Sequence, residues 1–139
     1  MYELRRPEAV RRNRASTLGG VADLETLITD WLSVPEFADA LGLPQRQGRK
    51  LVDERVVLSA RIGPNQALAV PAVFVRDGQL LPGLTGTITV LRDSGLPDDE
   101  ALEWLFTTDP TLPIEGGPMG MLLAGRKAEV RKRAMELAL

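Results

Sequence analysis

The sequence predicts a mainly α-helical protein with one small β-hairpin, and three observations predict it. Apolar residues recur at i, i+3, i+4, i+7, the spacing that lines one face of a helix: Leu24, Leu27, Ile28 and Trp31, then Val34, Phe37, Ala38 and Leu41. A β-branched run, Val56-Val57-Leu58-Ser59-Ala60-Arg61-Ile62, is followed by Gly63-Pro64-Asn65 and resumes at Ala67-Leu68-Ala69-Val70, the pattern of a short hairpin. Helix start and stop signals punctuate the rest, with Ser33 before one apolar run, Gly42 and Gly95 after others, and Pro97 opening a fourth.

The elements follow in order. Residues 1–22, with Gly19-Gly20 near their end and little apolar periodicity, read as a flexible basic arm. Asp23 stands where an N-cap would precede the first helix. Ser33 and Glu36 have the spacing of a capping box, in which the hydroxyl and the carboxylate each take one orphan backbone N–H. Gly42 supplies the left-handed exit that ends this helix. Pro44 suits the first turn of a second helix running to Glu54, with Leu51 and Val52 inward and Gln45, Arg46, Arg49 and Lys50 facing water. Two short helices joined by a glycine turn, the second with exposed Arg and Gln, describe a helix-turn-helix; a hairpin over residues 56–70 directly after it is a wing.

Beyond the wing, Arg76-Asp77-Gly78 makes a turn, and Leu84, Ile88 and Leu91 line a helix stopped by Gly95. Pro97-Asp98-Asp99-Glu100 opens the next helix, with acids in the first turn where the dipole favours them. Met119 to Leu123, then Val130, Ala134 and Leu137, supply the last helices. The expected architecture is a winged helix-turn-helix over residues 23–78 and a helical C-terminal domain over 79–139 that shares its core.

Composition removes whole classes of chemistry. The 139 residues include no cysteine and no histidine, which excludes disulfides, thiol nucleophiles, Cys/His zinc sites and imidazole acid–base catalysis. An apolar share of 44% permits a core, but aromatics at 4% leave it to Leu, Val, Ile and Ala. No apolar run reaches the roughly 18 residues of a membrane span, and no apolar stretch follows the N-terminal arginines as in a secretory signal. A cytoplasmic, nucleoid-associated protein is expected. The formal net charge of −2 conceals segregation: residues 1–20 and 45–61 each carry +3, residues 126–133 carry +4, and Asp98 to Glu115 hold six carboxylates and no base.

Several stretches resemble an actinobacterial family of small winged helix-turn-helix DNA-binding proteins whose first half is akin to MerR-type and excisionase-type regulators. They are WLSVPEFADALGLP, VPAVFV, LPGLTGTITVLRDSG, EALEWLFTTDPTLP and RKAEVRKRAMELA, which together span about residues 31–139. The resemblance implies DNA binding through the second helix and wing, and no enzymatic activity. A weaker similarity, WLFTTDPTLPIEGGPMGMLLAG, is to the toxin-binding domain of Xre/ParS-type antitoxins, carried by Trp104, Leu105, Pro110, Leu112, Gly117 and Pro118. It implies a protein partner for the C-terminal half.

The expected interface is therefore Gln45, Arg46, Arg49 and Lys50 on helix 44–54 in the major groove of double-stranded DNA, with Arg55 and Arg61 beside the wing on the backbone. Arg pairs bidentately with guanine, Gln with adenine, and Lys suits a phosphate oxygen. Gly48 occupies a position where second helices of this kind usually carry an apolar residue. It costs a helix interior roughly 1 kcal/mol relative to Ala, which predicts a helix that frays or orders only against DNA. Ser16 and Thr17 beside Arg14 are candidate phosphate acceptors whose modification would oppose DNA. Asp98, Asp99 and Glu100 read as dipole complementation rather than a metal or acid–base site, and Arg126 to Arg133 as the wet side of a terminal helix. Gly116-Gly117-Pro118-Met119-Gly120 lacks the Lys-Ser/Thr ending of a phosphate loop. No catalytic residue, cofactor, metal, membrane or small-molecule substrate is expected. The alternative is a protein-interaction module, antitoxin-like or an adaptor, that acts through the C-terminal helices.

Overall fold

In a computed structural model that describes residues 21–138, the capping box written into Ser33 and Glu36 forms. Glu36 N–H donates to Ser33 Oγ at 3.2 Å and Ser33 N–H donates to Glu36 Oε1 at 2.8 Å. This starts helix α2 (Val34–Ala40), whose Val34, Phe37 and Ala38 are buried. Gly42, at φ +70°, turns the chain into α3 (Gln45–Asp53). Pro44 sits one residue earlier than expected: it is the N-cap of α3, and its carbonyl accepts from the N–H groups of Gln47 and Gly48.

The entry to this unit departs from the periodicity. Helix α1 (Val21–Leu27) already contains Asp23 and closes before Trp31, which opens strand β1 (Trp31–Ser33). Sheet pairing explains the switch, since Trp31, Leu32 and Ser33 face Pro71, Val70 and Ala69 in antiparallel register. The Trp31 indole N–H donates to the Ile28 carbonyl at 2.8 Å, tying the end of α1 to the start of the sheet.

Strands β2 (Ala60–Ile62) and β3 (Ala67–Pro71) form the wing, and β3 is the central strand of the order β1-β3-β2. The wing strand is shorter than residues 56–62: Val57 and Leu58 do not pair but are fully buried as plugs into the core. At the tip, Gly63 and Gln66 take positive φ, and Gln66 N–H donates to the Gly63 carbonyl at 3.1 Å.

After a 3₁₀ turn (Ala72–Phe74), β4 (Val75–Arg76) and β5 (Gln79–Leu80) make a second hairpin around Asp77-Gly78, both at positive φ. Asp-Gly at both central positions is the chemistry of a type I′ turn, whose twist matches that of the strands. Four helices complete the chain: α4 (Leu84–Asp93), α5 (Asp98–Phe106), α6 (Gly117–Leu123) and α7 (Lys127–Glu136).

One cluster of buried side chains runs through both halves, from Leu24, Phe37, Val52 and Phe74 to Leu84, Leu102, Met121 and Ala134. Helices thus dominate, with a three-stranded antiparallel sheet bearing the wing and a separate two-stranded hairpin, in a winged-helix-like fold. Leu137, expected within the last helix, instead lies one residue past the end of α7 and is 41% exposed. The N-terminal arginines, Ser16 and Thr17 lie outside the described residues.

Candidate nucleic-acid interface

Helix α3 presents one wet face. Gly48 and Val52 are buried and Leu51 is half-buried, whereas Gln45, Arg46, Arg49, Lys50 and Asp53 are exposed. At 100° per residue, Arg46, Arg49, Lys50 and Asp53 fall within one quadrant or slightly more, with Gln45 at its edge.

Gly48 is the residue that seats this helix. A Cβ built there would lie 2.5 Å from the Ala38 Cβ and 3.0 Å from the Ala38 Cα. The expectation of a frayed helix is therefore corrected. The glycine is buried where α2 and α3 cross too closely for a second side chain, and Ala38, itself buried, is the smallest partner that keeps a Cβ. A sequence signal was present in the pairing of Ala38 with Gly48 across the Gly42 turn, two small residues facing each other, but it needs the crossing geometry to be read.

The cations differ in how they are held. Arg49 Nε donates to Asp53 Oδ1 at 3.1 Å, and Lys50 Nζ lies 3.9 Å from Glu54 Oε2. Both pairs are exposed and join residues four apart on α3 or its C-cap, and each contributes little to stability. Arg46, one turn nearer the start of α3, has no carboxylate partner among the described residues. No side chain caps that helix start, so the positive end of its dipole is open to an anion.

The two wing-flanking arginines are placed differently from one another. Arg61 is exposed on β2, and its Nη1 donates to the Gln66 carbonyl at 3.3 Å, bracing the tip. Gly63 N–H at the tip donates to Glu25 Oε2 of α1 at 3.3 Å, so α1 pins the wing and sets a carboxylate beside it. Arg55, though exposed, is engaged by the C-terminal half: Nε and Nη2 donate to Asp98 Oδ1 at 3.1 and 2.7 Å. Asp98 thus does more than complement the α5 dipole, because its second oxygen accepts the Ser59 N–H at 3.3 Å.

In the basic C-terminal stretch, Arg133 is structural. It reaches Glu129 Oε2 at 3.0 Å and Thr111 Oγ1 at 2.8 Å, with Asp109 Oδ2 at 3.7 Å, clamping the loop before α6. Asp109 accepts from the Thr111 hydroxyl and backbone N–H, and these bonds, with Arg133 beside them, lower its pKa. Among the described residues, no group of three or more carboxylates is arranged to hold a metal ion, and no helix is long and apolar enough to cross a membrane.

An exposed basic second helix, a tight glycine turn before it and a hairpin wing after it define the class: a small winged helix-turn-helix protein with a helical C-terminal half. The comparisons narrow this to a family. The chain is 32% identical over 117 residues to the DNA-binding protein Rv2175c of Mycobacterium tuberculosis, a match covering 76% of this chain and 78% of that one. The NMR structure of Rv2175c superposes with a TM-score of 0.70 at 30% identity, over 78% of this chain and 81% of that one. Residues 81–138 match the family described as the Rv2175c C-terminal domain of unknown function. The chain belongs to the Rv2175c family.

Proposed function

We propose that the protein binds double-stranded DNA, with α3 in the major groove and the β2–β3 wing on the sugar-phosphate backbone. The observation that carries this reading is the exposed face of α3, where Arg46 has no carboxylate partner among the described residues and Arg49 and Lys50 hold only exposed partners four residues on. A phosphate or a guanine edge can replace Asp53 or Glu54 without any backbone movement. The name of the Mycobacterium tuberculosis relative, a DNA-binding protein, supports the same partner. A regulatory or nucleoid-associated role in the cytoplasm and the absence of enzymatic activity belong to the same proposal. So does a phosphate on Ser16 or Thr17 that weakens binding.

The test is the double variant Arg46→Ala/Arg49→Ala. If both side chains contact bases, duplex affinity drops by roughly 2 to 6 kcal/mol in a gel-shift titration at moderate salt. Binding equal to that of the parent would overturn the assignment of the reading helix.

A second reading, a protein partner on the C-terminal helices, rests on a different observation. Among the described residues, the exposed large apolar side chains, Leu123, Met135 and Leu137, all belong to α6, α7 or the turn that ends α7. Changing all three to Ser abolishes such an association and leaves duplex affinity untouched, so pull-down and gel shift on one variant separate the two readings.

A further inference from the structure

We propose that Asp98 and Arg92 set the pitch of the reading helix by holding Arg55, which is a positioning residue and not a DNA contact. The inference rests on the DNA-binding reading above and gives the C-terminal half a part in it.

Arg55 follows the Glu54 C-cap of α3, at φ +59°. This left-handed position after a helix usually goes to glycine, because a Cβ there is strained. A non-glycine residue persists in such a conformation when its surroundings over-determine it, and three contacts do so here. The guanidinium donates through Nε and Nη2 to Asp98 Oδ1 at the start of α5. The same carboxylate takes the Ser59 N–H, which fixes the chain between α3 and the wing. The Arg55 carbonyl in turn accepts from Arg92 Nη1 of α4 at 3.3 Å. One residue at the end of the reading helix is thus bolted to two helices of the other half.

The contrast with its neighbours is decisive. Arg49 and Lys50 lend their charges to carboxylates of the same helix and one residue beyond it, which a phosphate can displace freely. Arg55 is paired across 43 residues of sequence, and its partner Asp98 is the less exposed of the two, at 24% against 44%. Giving up that partner to DNA would unfasten α3 from α4 and α5.

The competing role for Arg55, a phosphate contact restrained by Asp98, predicts effects of opposite sign. Full-length Asp98→Asn and Arg55→Gly would be compared with the parent by fluorescence anisotropy over a salt series. The probe is a labelled duplex enriched from a random-sequence pool by the parent protein. Glycine suits the left-handed backbone, so Arg55→Gly removes the bolt without straining the chain, and thermal melting confirms that both variants are folded.

Positioning predicts that each variant binds about five- to tenfold more weakly, with an unchanged slope of log K against log salt. Two results would overturn the proposal: tighter or equal binding by Asp98→Asn, or a slope shallower by about 0.9 in Arg55→Gly, which marks a neutralised phosphate. Indifference of Asp98→Asn beside a loss in Arg46→Ala/Arg49→Ala sinks this inference alone. A parent that enriches no duplex sinks the DNA-binding reading as well.

Discussion

Gly48 shows how little room one residue can have. Replacing it with Ala improves intrinsic helix propensity by roughly 1 kcal/mol, yet the new methyl would lie 2.5 Å from the Ala38 Cβ on a facing helix. Overpacking of this kind typically costs about 1 to 3 kcal/mol, and no flexible side chain is available to give way. Gly48→Ala is therefore expected to be less stable than the parent in urea, and to bind duplex more weakly because α3 is pushed off α2. Ala38→Gly in the same chain makes room and should recover part of both losses, a coupling that a double-mutant cycle measures. The exposed set of Gln45, Arg46, Arg49 and Lys50 was legible from the sequence because surface placement follows from period alone. The role of Gly48 was not, since it depends on the distance between two helices. The tie of Arg55 to Asp98 was hidden for the same reason, being a contact between distant stretches of chain.

At the scale of single elements, the capping box gives the N-terminal unit a measurable dependence on pH. The Ser33 backbone N–H and then its hydroxyl hold the Glu36 carboxyl below its ordinary value of 4.5. A carboxyl whose folded pKa is depressed contributes stability above its unfolded pKa and loses it as pH falls through the folded one. Wild type should exceed Glu36→Gln in urea midpoint at neutral pH, and the gap should close from about pH 4.5 downward. Asp109, depressed as well, titrates in both proteins and cancels from the comparison. Ser33→Ala, by removing the cap itself, is expected to cost about 1 kcal/mol at neutral pH in the same measurement. Helices α2 to α5 were legible in the sequence because their starts and stops are chemical: Ser33, Gly42, Gly95 and Pro97. Strands β1 and β4–β5 were not. β1 is three residues long and exists only because β3 lies beside it. The second hairpin carried an Asp-Gly signal, but its strands are two residues each, too short for alternation to show.

For the whole molecule, the consequential fact is the shared core. Phe74 packs its ring 6.2 Å from that of Phe106, and Val52 of α3 belongs to the same cluster as Leu84, Leu102 and Ala134. Such a core should unfold as one unit. Trp31 reports on the sheet and Trp104 on α5, so Trp31→Phe and Trp104→Phe each leave one probe. Each probe's fluorescence transition in urea is expected to coincide with the far-ultraviolet circular dichroism transition of the same variant. A transition in either half that precedes the other would instead mark two independently stable parts. The Val75–Leu80 hairpin adds a mechanical link, for a Cβ added to Gly78 would come within 3.9 Å of the Ala40 carbonyl oxygen, and Arg76 Nη1 donates to the Leu123 carbonyl at 3.3 Å. That small loop is a strut between the last turn before α3 and the last turn before α7. A dye placed on Asp77 would sit where movement of either end is felt first, making it a natural gauge for any rearrangement that accompanies ligand capture.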